Sequence, residues 1–395
     1  MADTRGAGPL AGLPLLEDLP DVEGRHVLVR VDFNVPLSEG PGGAMVVDDD
    51  FRIRAALPTL QWLTGRGAEV MAATHLGRPK GKPDPRYDVA PVRARLAELA
   101  PGVGLLENLR FDPGEEANDP AFVDRLVDGF DAYVNDAFGS SHRAHASIVG
   151  PPARLPSAAG RLLQREVEVL GGLLTHPGRP FVAVVGGLKV ADKIGVLQAL
   201  LRRVDRLLVG GAMAYTFLAA AGGEVGASPV DKAELDNCAA LVAAAGDRVL
   251  LPVDTVALAP DGSFGRGQPG SGEQAVYAGD IPAGWQGGDV GPETVRRFVE
   301  ALAGAATVFW NGPMGVFEDP RFAAGTDAMA DAMVSSNAFT VVGGGDSAAA
   351  LDRRGLSDKV GFVSTGGGAS LELLENGDLP GLDALRHAPN APGGG

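Results

Sequence analysis

A single cysteine, Cys238, stands in 395 residues. That excludes an intrachain disulfide and a cysteine-based metal site. Its surroundings, Ala239 to Ala245, predict a buried helical thiol. No run reaches the ~18 apolar residues a membrane-spanning helix needs. The first twenty residues carry Asp3, Arg5 and three prolines without an apolar run of signal length, so the expectation is a cytoplasmic protein. Positive charge is scarce: 34 Lys and Arg face 50 Asp and Glu, a net charge of −16. This argues against a nucleic-acid partner and against an anionic membrane surface. Any local gathering of arginines therefore stands against the overall field. The phosphate-binding pattern GxxxxGK[ST] is absent. Gly265, Gly267 and Gly270 fit GxGxxG, but Pro269 and the composition of DGSFGRGQPGSG predict a surface loop with no helix to follow.

Glycine, by contrast, is abundant, with 57 residues clustered after apolar runs. Clusters in that position predict strand-to-helix turns. The length exceeds one typical core, so two domains are expected. Residues 1 to about 20 read as a loose extension. Strands are then expected at His26–Val31, Glu69–Thr74, Val103–Leu106 and Ala132–Val134, separated by helices at Arg54–Thr64, Asp88–Leu99 and Pro120–Asp128, with SEGPGGAM read as a disordered loop. Strand, polar loop and helix in alternation is the α/β pattern with a parallel sheet.

In such sheets ligands bind beyond the carboxyl ends of the strands. Those ends carry Arg30, Asp32 and Asn34, then His75 and Arg78, then Arg110, then His142, Arg143 and His145, with Arg52 close behind the first. The guanidinium fork suits carboxylate and phosphate, so this crevice is expected to hold a small, multiply charged anion. The competing reading pairs these arginines with Asp112, Asp136 and other nearby acids. HRAH places two imidazoles three residues apart, but no HExxH glutamate or further histidine cluster supports a metal there.

Helical spacing of Leu162, Leu163, Val167, Leu170 and Leu174 marks residues 160 to 174 as the helix joining two domains. Beyond it, strands at Phe181–Val185, Arg206–Val209, Val249–Pro252 (running on into TVALA), Thr307–Trp310, Phe339–Val342 and Phe362–Val363 nearly all end in glycine. This half offers backbone amides with Lys189 and Lys193, a set suited to nucleotide phosphates. TVVGGGDSAAA, at Thr340 to Ala350, reads as a strand, a glycine turn and a helix whose N-terminus can face an anion. Asp346 would repel phosphates there unless a divalent metal lay between, as Mg²⁺ commonly does. Equally, Asp346 could simply be an N-cap.

RVDFNVPL, HLGRP, LLENLRF, HRAH, LKVADKI, WNGPMGVFE, GGGDS and STGGGASLELLE occur here in the order found in phosphoglycerate kinases, from about residue 20 to about residue 385. The resemblance implies an α/β protein of two doubly wound, Rossmann-like parallel-sheet domains facing across a hinged cleft. The first, 1–159, would bind the triose phosphate; 160–175 would be the interdomain helix; 176–370 would bind nucleotide, and the tail from about 371 to 395 would pack back on the first domain. The implied reaction is reversible phosphoryl transfer between 1,3-bisphosphoglycerate and ADP, giving 3-phosphoglycerate and ATP with Mg²⁺, in line and without a phosphoenzyme, by a cytoplasmic monomer. Asp32, Phe33 and Asn34, the His75–Leu76–Gly77–Arg78 stretch, Arg110 and Arg143 match substrate-binding positions. Arg52, Lys189 and Gly367 match positions at the transferring phosphoryl group. Lys193, Gly210, Gly211, Gly287, Asn311, Glu318, Gly344, Gly345, Asp346 and Ser347 match nucleotide positions, with Asp346 on the metal. Leu188 stands where Ala or Ser is commoner and is expected to tighten local packing. A pure anion-binding protein would not need Lys189, Lys193 and Asp346, and a dehydrogenase would need the missing dinucleotide fingerprint.

Overall fold

The computed structural model describes residues 8–40 and 43–391. The sequence expectations for residues 1–7, for loop positions 41–42 and for the tail beyond 391 lie outside the described residues. The chain divides into two units. One runs to Thr175 and resumes at Asn376; the other is His176–Glu375.

In the first unit β1 (His26–Val31) is followed by a hairpin, β2 (Leu37–Glu39) and β3 (Met45–Val47), and then by α1 (Phe51–Thr64) and β4 (Glu69–Ala73). Next come α2 (Ala90–Leu99), β5 (Gly104–Leu105), α3 (Pro113–Ala117), α4 (Pro120–Val127) and β6 (Ala132–Asp136). The continuous first run closes with α5 (Ala146–Val149), β7 (Ser157–Ala159) and α6 (Arg161–Thr175). The sheet order is β5-β4-β1-β6-β7, every pairing parallel. Helices cover both faces of such a sheet, so its strands are near-continuous apolar runs instead of alternating ones. Val27, Leu28, Val29 and Val31 of β1 are all 0% exposed, each contributing roughly 1.5–3 kcal/mol by burial. The chain runs outward from β1 through β4 to β5, then returns to β6 and β7. The order therefore reverses between β1 and β6, where a crevice opens at the strands' carboxyl ends.

The second unit repeats this plan. It contains β8 (Phe181–Val185), α7 (Ile194–Leu201), β9 (Arg206–Val209), α8 (Ala214–Ala220), α9 (Leu235–Ala245) and β10 (Val249–Leu250). After these come β11 (Asp254–Leu258), β12 (Gln274–Ala278), β13 (Gln286–Val290), α10 (Pro292–Ala303) and β14 (Thr307–Asn311). It ends with α11 (Ala324–Ser335), β15 (Phe339–Gly343), α12 (Gly345–Arg353), β16 (Phe362–Val363) and α13 (Gly368–Asn376). The main sheet, β10-β9-β8-β14-β15-β16, is parallel throughout and reverses between β8 and β14. Trp310 and Phe309 of β14 are 0% exposed at its centre. Cys238 is likewise 0% exposed, on α9.

Several expectations are corrected. TVALA does not continue the strand at 249. Pro252 intervenes, and β11 belongs to a separate antiparallel sheet, β12-β11-β13. Asp254 at its start accepts the N–H groups of Glu293 and Thr294 and so caps α10. The loop at SEGPGGAM is flanked by a paired hairpin, Leu37 opposite Val47, whose three-residue strands are too short to show a period. The N-terminal stretch is not loose over residues 8–20: Leu13 and Leu16 are 0% exposed, and Leu15 bridges Ala159 of β7. Beyond Asn376, α14 (Pro380–Arg386) returns to the first unit. There Gly381 donates its N–H to the Ser141 carbonyl, and Arg386 donates to the carbonyls of Pro9 and Ala11.

Candidate active site

The first unit gathers cations at the carboxyl ends of β1, β4 and β6. Arg78 is exposed and has no hydrogen bond or ion pair among the described residues. Among the described residues the Arg143 side chain donates only to His142, 3.1 Å away. Arg52, at the start of α1, pairs with Asp32 at 2.8 Å. Burial pushes the Asp32 carboxyl up, but its surroundings, the Arg52 charge first among them, more than offset this and hold it below its usual range. Arg110 is buried; it donates to the Gly77 carbonyl at 2.7 Å and lies 3.1 Å from Glu116. Its Nε, like His142 Nδ1, makes no hydrogen bond although buried. Asp112 and Asp136 do not neutralise this cluster. Asp112 pairs with Arg125, and Asp136 accepts the N–H groups of Leu162 and Leu163.

Arg30 does not open onto this crevice as expected. It is 1% exposed and donates to Ser147 Oγ, the Val31 carbonyl and His75. Phe33 and Leu76 also have buried side chains, so only their backbones can meet a ligand. The Phe33 N–H is already taken by Thr74 Oγ1 and the Leu76 N–H by Asn108 Oδ1. Exposed Asn34 accepts the Gly77 N–H at 2.9 Å. Gly77 has φ +61°, and any side chain there would overlap the Tyr87 ring, so glycine is required. What remains at these strand ends is a set of guanidinium groups, Arg52 paired with Asp32 and Arg110 with Glu116 while Arg78 and Arg143 meet no acid among the described residues, a set suited to a phosphate and a carboxylate.

In the second unit a cavity of about 270 Å³ lies at the reversal between β8 and β14. Its lining includes Gly187, Lys189, Asp192, Lys193, Asn311, Gly312, Gly344, Gly345 and Asp346. That is below the ~300 Å³ of typical whole-ligand sites, so it is sized for one end of a ligand. Lys193 Nζ donates to the Gly186 carbonyl at 2.6 Å and to Asn311 Oδ1 at 2.8 Å. Burial pulls its pKa down to about 8, with Asp346 and Asp192 opposing. Gly344, at φ +90°, turns β15 into α12; at Gly345 nothing lies within 4 Å of where a side chain would begin. The start of α12 therefore borders open space in the cavity lining, as an anion site requires.

Gly344, not Asp346, occupies the N-cap position, and Asp346 sits in the first turn of α12. Ser347 is buried and its hydroxyl accepts the Gly312 N–H at 2.6 Å, so it anchors the loop after β14. Lys189 is exposed. Leu188 is 66% exposed, so it does not tighten packing. Gly210 and Gly211 follow β9, and side chains there would press on Met314 and on the Gly187 backbone. Gly287 packs against Tyr215 and donates its N–H to Ser228. Glu318 is exposed, while its neighbour Asp319 accepts the N–H groups of Gly265 and Gly270. The GxGxxG look-alike thus wraps an internal carboxylate. Gly367, with φ +54° and open space around it, immediately precedes α13.

Asp192 in the cavity was not singled out from sequence, nor were Asn108 and Thr74, which hold the β4 loop. A larger cavity in this unit, about 1100 Å³, lies by the amino ends of β8 and β9, lined by Pro180, Asp205 and Phe298. No helix N-terminus is among its lining residues, its glycine, Gly304, ends α10, and its Arg179 is paired with Asp205 at 2.7 Å.

The phosphoglycerate kinase family model matches residues 16–103 and 100–377. The chain belongs to the phosphoglycerate kinase family. The phosphoglycerate kinase of Thermus thermophilus is 51% identical over 393 residues, covering 92% of this chain and 98% of the relative. That of Rubrobacter xylanophilus is 50% identical over 388 residues, covering 92% and 96%. Among solved structures, the phosphoglycerate kinase of Coxiella burnetii superposes with a TM-score of 0.80 at 38% identity, covering 93% of this chain and 97% of that one. Membership makes the chain a nucleotide-using kinase of two α/β domains, and no helix among the described residues is long and apolar enough to cross a membrane.

Proposed function

We propose that the guanidinium crevice of the first unit and the glycine-lined cavity of the second are the two substrate sites of the phosphoglycerate kinase reaction. The reaction is reversible phosphoryl transfer between 1,3-bisphosphoglycerate and ADP, giving 3-phosphoglycerate and ATP. The observation that carries this assignment is the complementarity of the two switch points. One offers cationic side chains, Arg78 and Arg143 among them without an acidic partner among the described residues; the other offers a helix N-terminus, glycine backbone and two lysines. Arg78, Arg110, Arg143 and His75 hold the triose phosphate, and Asp32 and Asn34 take its hydroxyl and carboxylate end. Arg52 and Lys189, both solvent-accessible, neutralise the phosphoryl group in flight, with Gly367 and the start of α13 beside it. Lys193, Asn311, Gly344, Gly345 and Ser347 hold the nucleotide phosphates, Glu318 the ribose, and Gly210, Gly211 and Gly287 the wall for the base.

Phosphoryl transfer asks for positioning and charge neutralisation more than for covalent chemistry. The acceptor oxygen is already anionic, so no strong base is required and the transfer is direct and in line. The residues at the cavity fit Mg²⁺. Asp346 offers one carboxylate in the first turn of α12, and no cluster of three or more acidic or imidazole ligands among the described residues forms a protein-only cage. Asp346 would hold the cation, and the cation would supply charge neutralisation at the nucleotide phosphates. We further propose a cytoplasmic monomer, as the family resemblance implies, and no nucleic-acid partner, on the acidic net charge.

The test is turnover with ATP and 3-phosphoglycerate in a coupled assay, joined to calorimetric titration of each substrate alone. Arg78→Ala should weaken 3-phosphoglycerate binding and leave nucleotide binding within about twofold. Equal loss for both ligands would refute the division between the units.

A further inference from the structure

Beneath the arginine crevice lies a chain of buried polar groups that the substrate assignment does not use. Glu115, on α3, is 0% exposed. One of its carboxyl oxygens accepts the Ser147 N–H at 2.9 Å and the other accepts the Ser147 hydroxyl at 2.6 Å. With its proton committed to Glu115, Ser147 Oγ turns a lone pair to Arg30 Nε, 2.9 Å away. Tyr133 of β6 donates to the Ser147 carbonyl at 2.7 Å and fixes that residue from the sheet side. Arg30 spends a second nitrogen on the Val31 carbonyl, and its Nη2 stands 3.2 Å from His75 Nδ1. Guanidinium carries five donors and no acceptor, so at this contact the ring nitrogen must accept. A neutral imidazole that accepts at Nδ1 carries its proton on Nε2.

We propose that Arg30, held by Ser147 and Glu115, fixes His75 as the Nε2–H tautomer and so makes this histidine a hydrogen-bond donor to the triose-phosphate anion. The proposal rests on the substrate assignment made above for the first unit. Arg30, Ser147 and Glu115 are positioning residues, since none of them touches substrate; only His75 does. The ring's surroundings make the tautomer decisive. Burial, then the charges of Arg30, Arg110 and Arg143, keep the imidazole from protonating, with Asp32 opposing. A ring that stays neutral either donates to an anion or turns a lone pair toward it, and the second arrangement is repulsive. The Arg30 contact selects the first.

The experiment is long-range ¹H–¹⁵N correlation on the full chain labelled at histidine, near neutral pH, with the His75 signals assigned through His75→Gln. The expected spectrum shows His75 protonated at Nε2 and bare at Nδ1. Adding 3-phosphoglycerate should move the Nε2 signal, and adding ADP should not. Ser147→Ala removes the acceptor for Arg30 while Glu115 keeps the backbone N–H at that position. This variant should give a mixed tautomer and raise KM for 3-phosphoglycerate by about tenfold, on the scale of one buried charged hydrogen bond. KM for ATP should stay within about twofold. A purely structural role for the network would leave the tautomer unchanged. An Nδ1–H ring in the parent protein overturns the proposal whether or not the variant folds, and so does an Nε2 signal indifferent to 3-phosphoglycerate. Absence of turnover with ATP and 3-phosphoglycerate would instead sink the substrate assignment, leaving the tautomer measured.

Discussion

Lys193 should take up a proton when nucleotide binds. In the free protein its ammonium donates to the Gly186 carbonyl and Asn311 Oδ1, and burial brings its pKa down to about 8. Asp346 and Asp192 already pull in the other direction. A polyphosphate entering the same cavity adds several negative charges within a few ångströms of Nζ, which favours the charged form and moves the pKa back up. At pH 8 about half the free protein carries neutral Lys193, and at pH 9 about nine-tenths does. Binding should therefore draw about 0.5 proton at pH 8 and close to 0.9 at pH 9, if the bound lysine is fully charged.

The nucleotide itself contributes little at these pH values, since the terminal phosphate titrates near ~6. The assay is calorimetry of ADP binding in two buffers of different ionisation enthalpy, at pH 7, 8 and 9, for the parent protein and Lys193→Met. The slope of apparent enthalpy against buffer enthalpy counts protons. The difference between the two proteins should be near zero at pH 7 and rise through pH 9. A difference that stays below about 0.1 proton at pH 9 would refute either the depressed pKa or the placing of phosphate beside Lys193.

Arg52→Ala should lower kcat by roughly two to four orders of magnitude, the scale of a lost electrostatic donor, while binding of each substrate alone changes little; a kcat within about threefold of the parent in steady-state assays would remove Arg52 from the reaction. Asp136 bears on stability. Burial pushes its carboxyl up to about 6 with the Thr59 hydroxyl opposing, and its Oδ1 caps the start of α6. Because the folded state binds this proton more tightly than the unfolded chain, Asp136 favours folding below about pH 4, and that advantage is lost as pH rises through 6. Asp136→Asn should therefore be more stable than the parent at pH 8 by about 1–3 kcal/mol, read from urea midpoints, and a loss of stability there would refute this account. Asp346→Asn keeps the shape of the α12 turn and deletes a charge. Nucleotide affinity measured in EDTA should stay equal or rise, and the gain on adding excess Mg²⁺ should shrink; an unchanged Mg²⁺ gain would make Asp346 irrelevant to the metal.

Legibility followed the physics of burial. FVAVV of β8 and TVFWN of β14 are wholly buried, and a parallel strand covered on both faces must read as an apolar run. The glycines behind them were equally legible, because a strand that turns sharply into a helix beside a ligand has few alternatives. The antiparallel sheet escaped for the opposite reason. QAVYA of β12 alternates between exposed and half-buried residues, and QGGDV of β13 carries two glycines where a strand needs side chains. Among the candidate site residues, Arg78 and Lys189 stand exposed and Arg143 half-buried beyond the strand ends, as their places in the chain predict. Arg30 occupies just such a place, yet it faces inward. What turns it is Ser147, 117 residues away in the chain, and no local pattern marks a serine whose proton belongs to a buried glutamate. Asp136 was misread in the same way, as a possible partner for the arginines. It ends β6 but bonds to the first N–H groups of α6, where Gly160 has no side chain and the carboxylate fills the space a Cβ would take. Residues that meet solvent or a ligand are specified by the strand that carries them, and sequence shows the strand. Residues that meet one another in the interior are specified by the pair, and a single chain read in order does not show which pairs close.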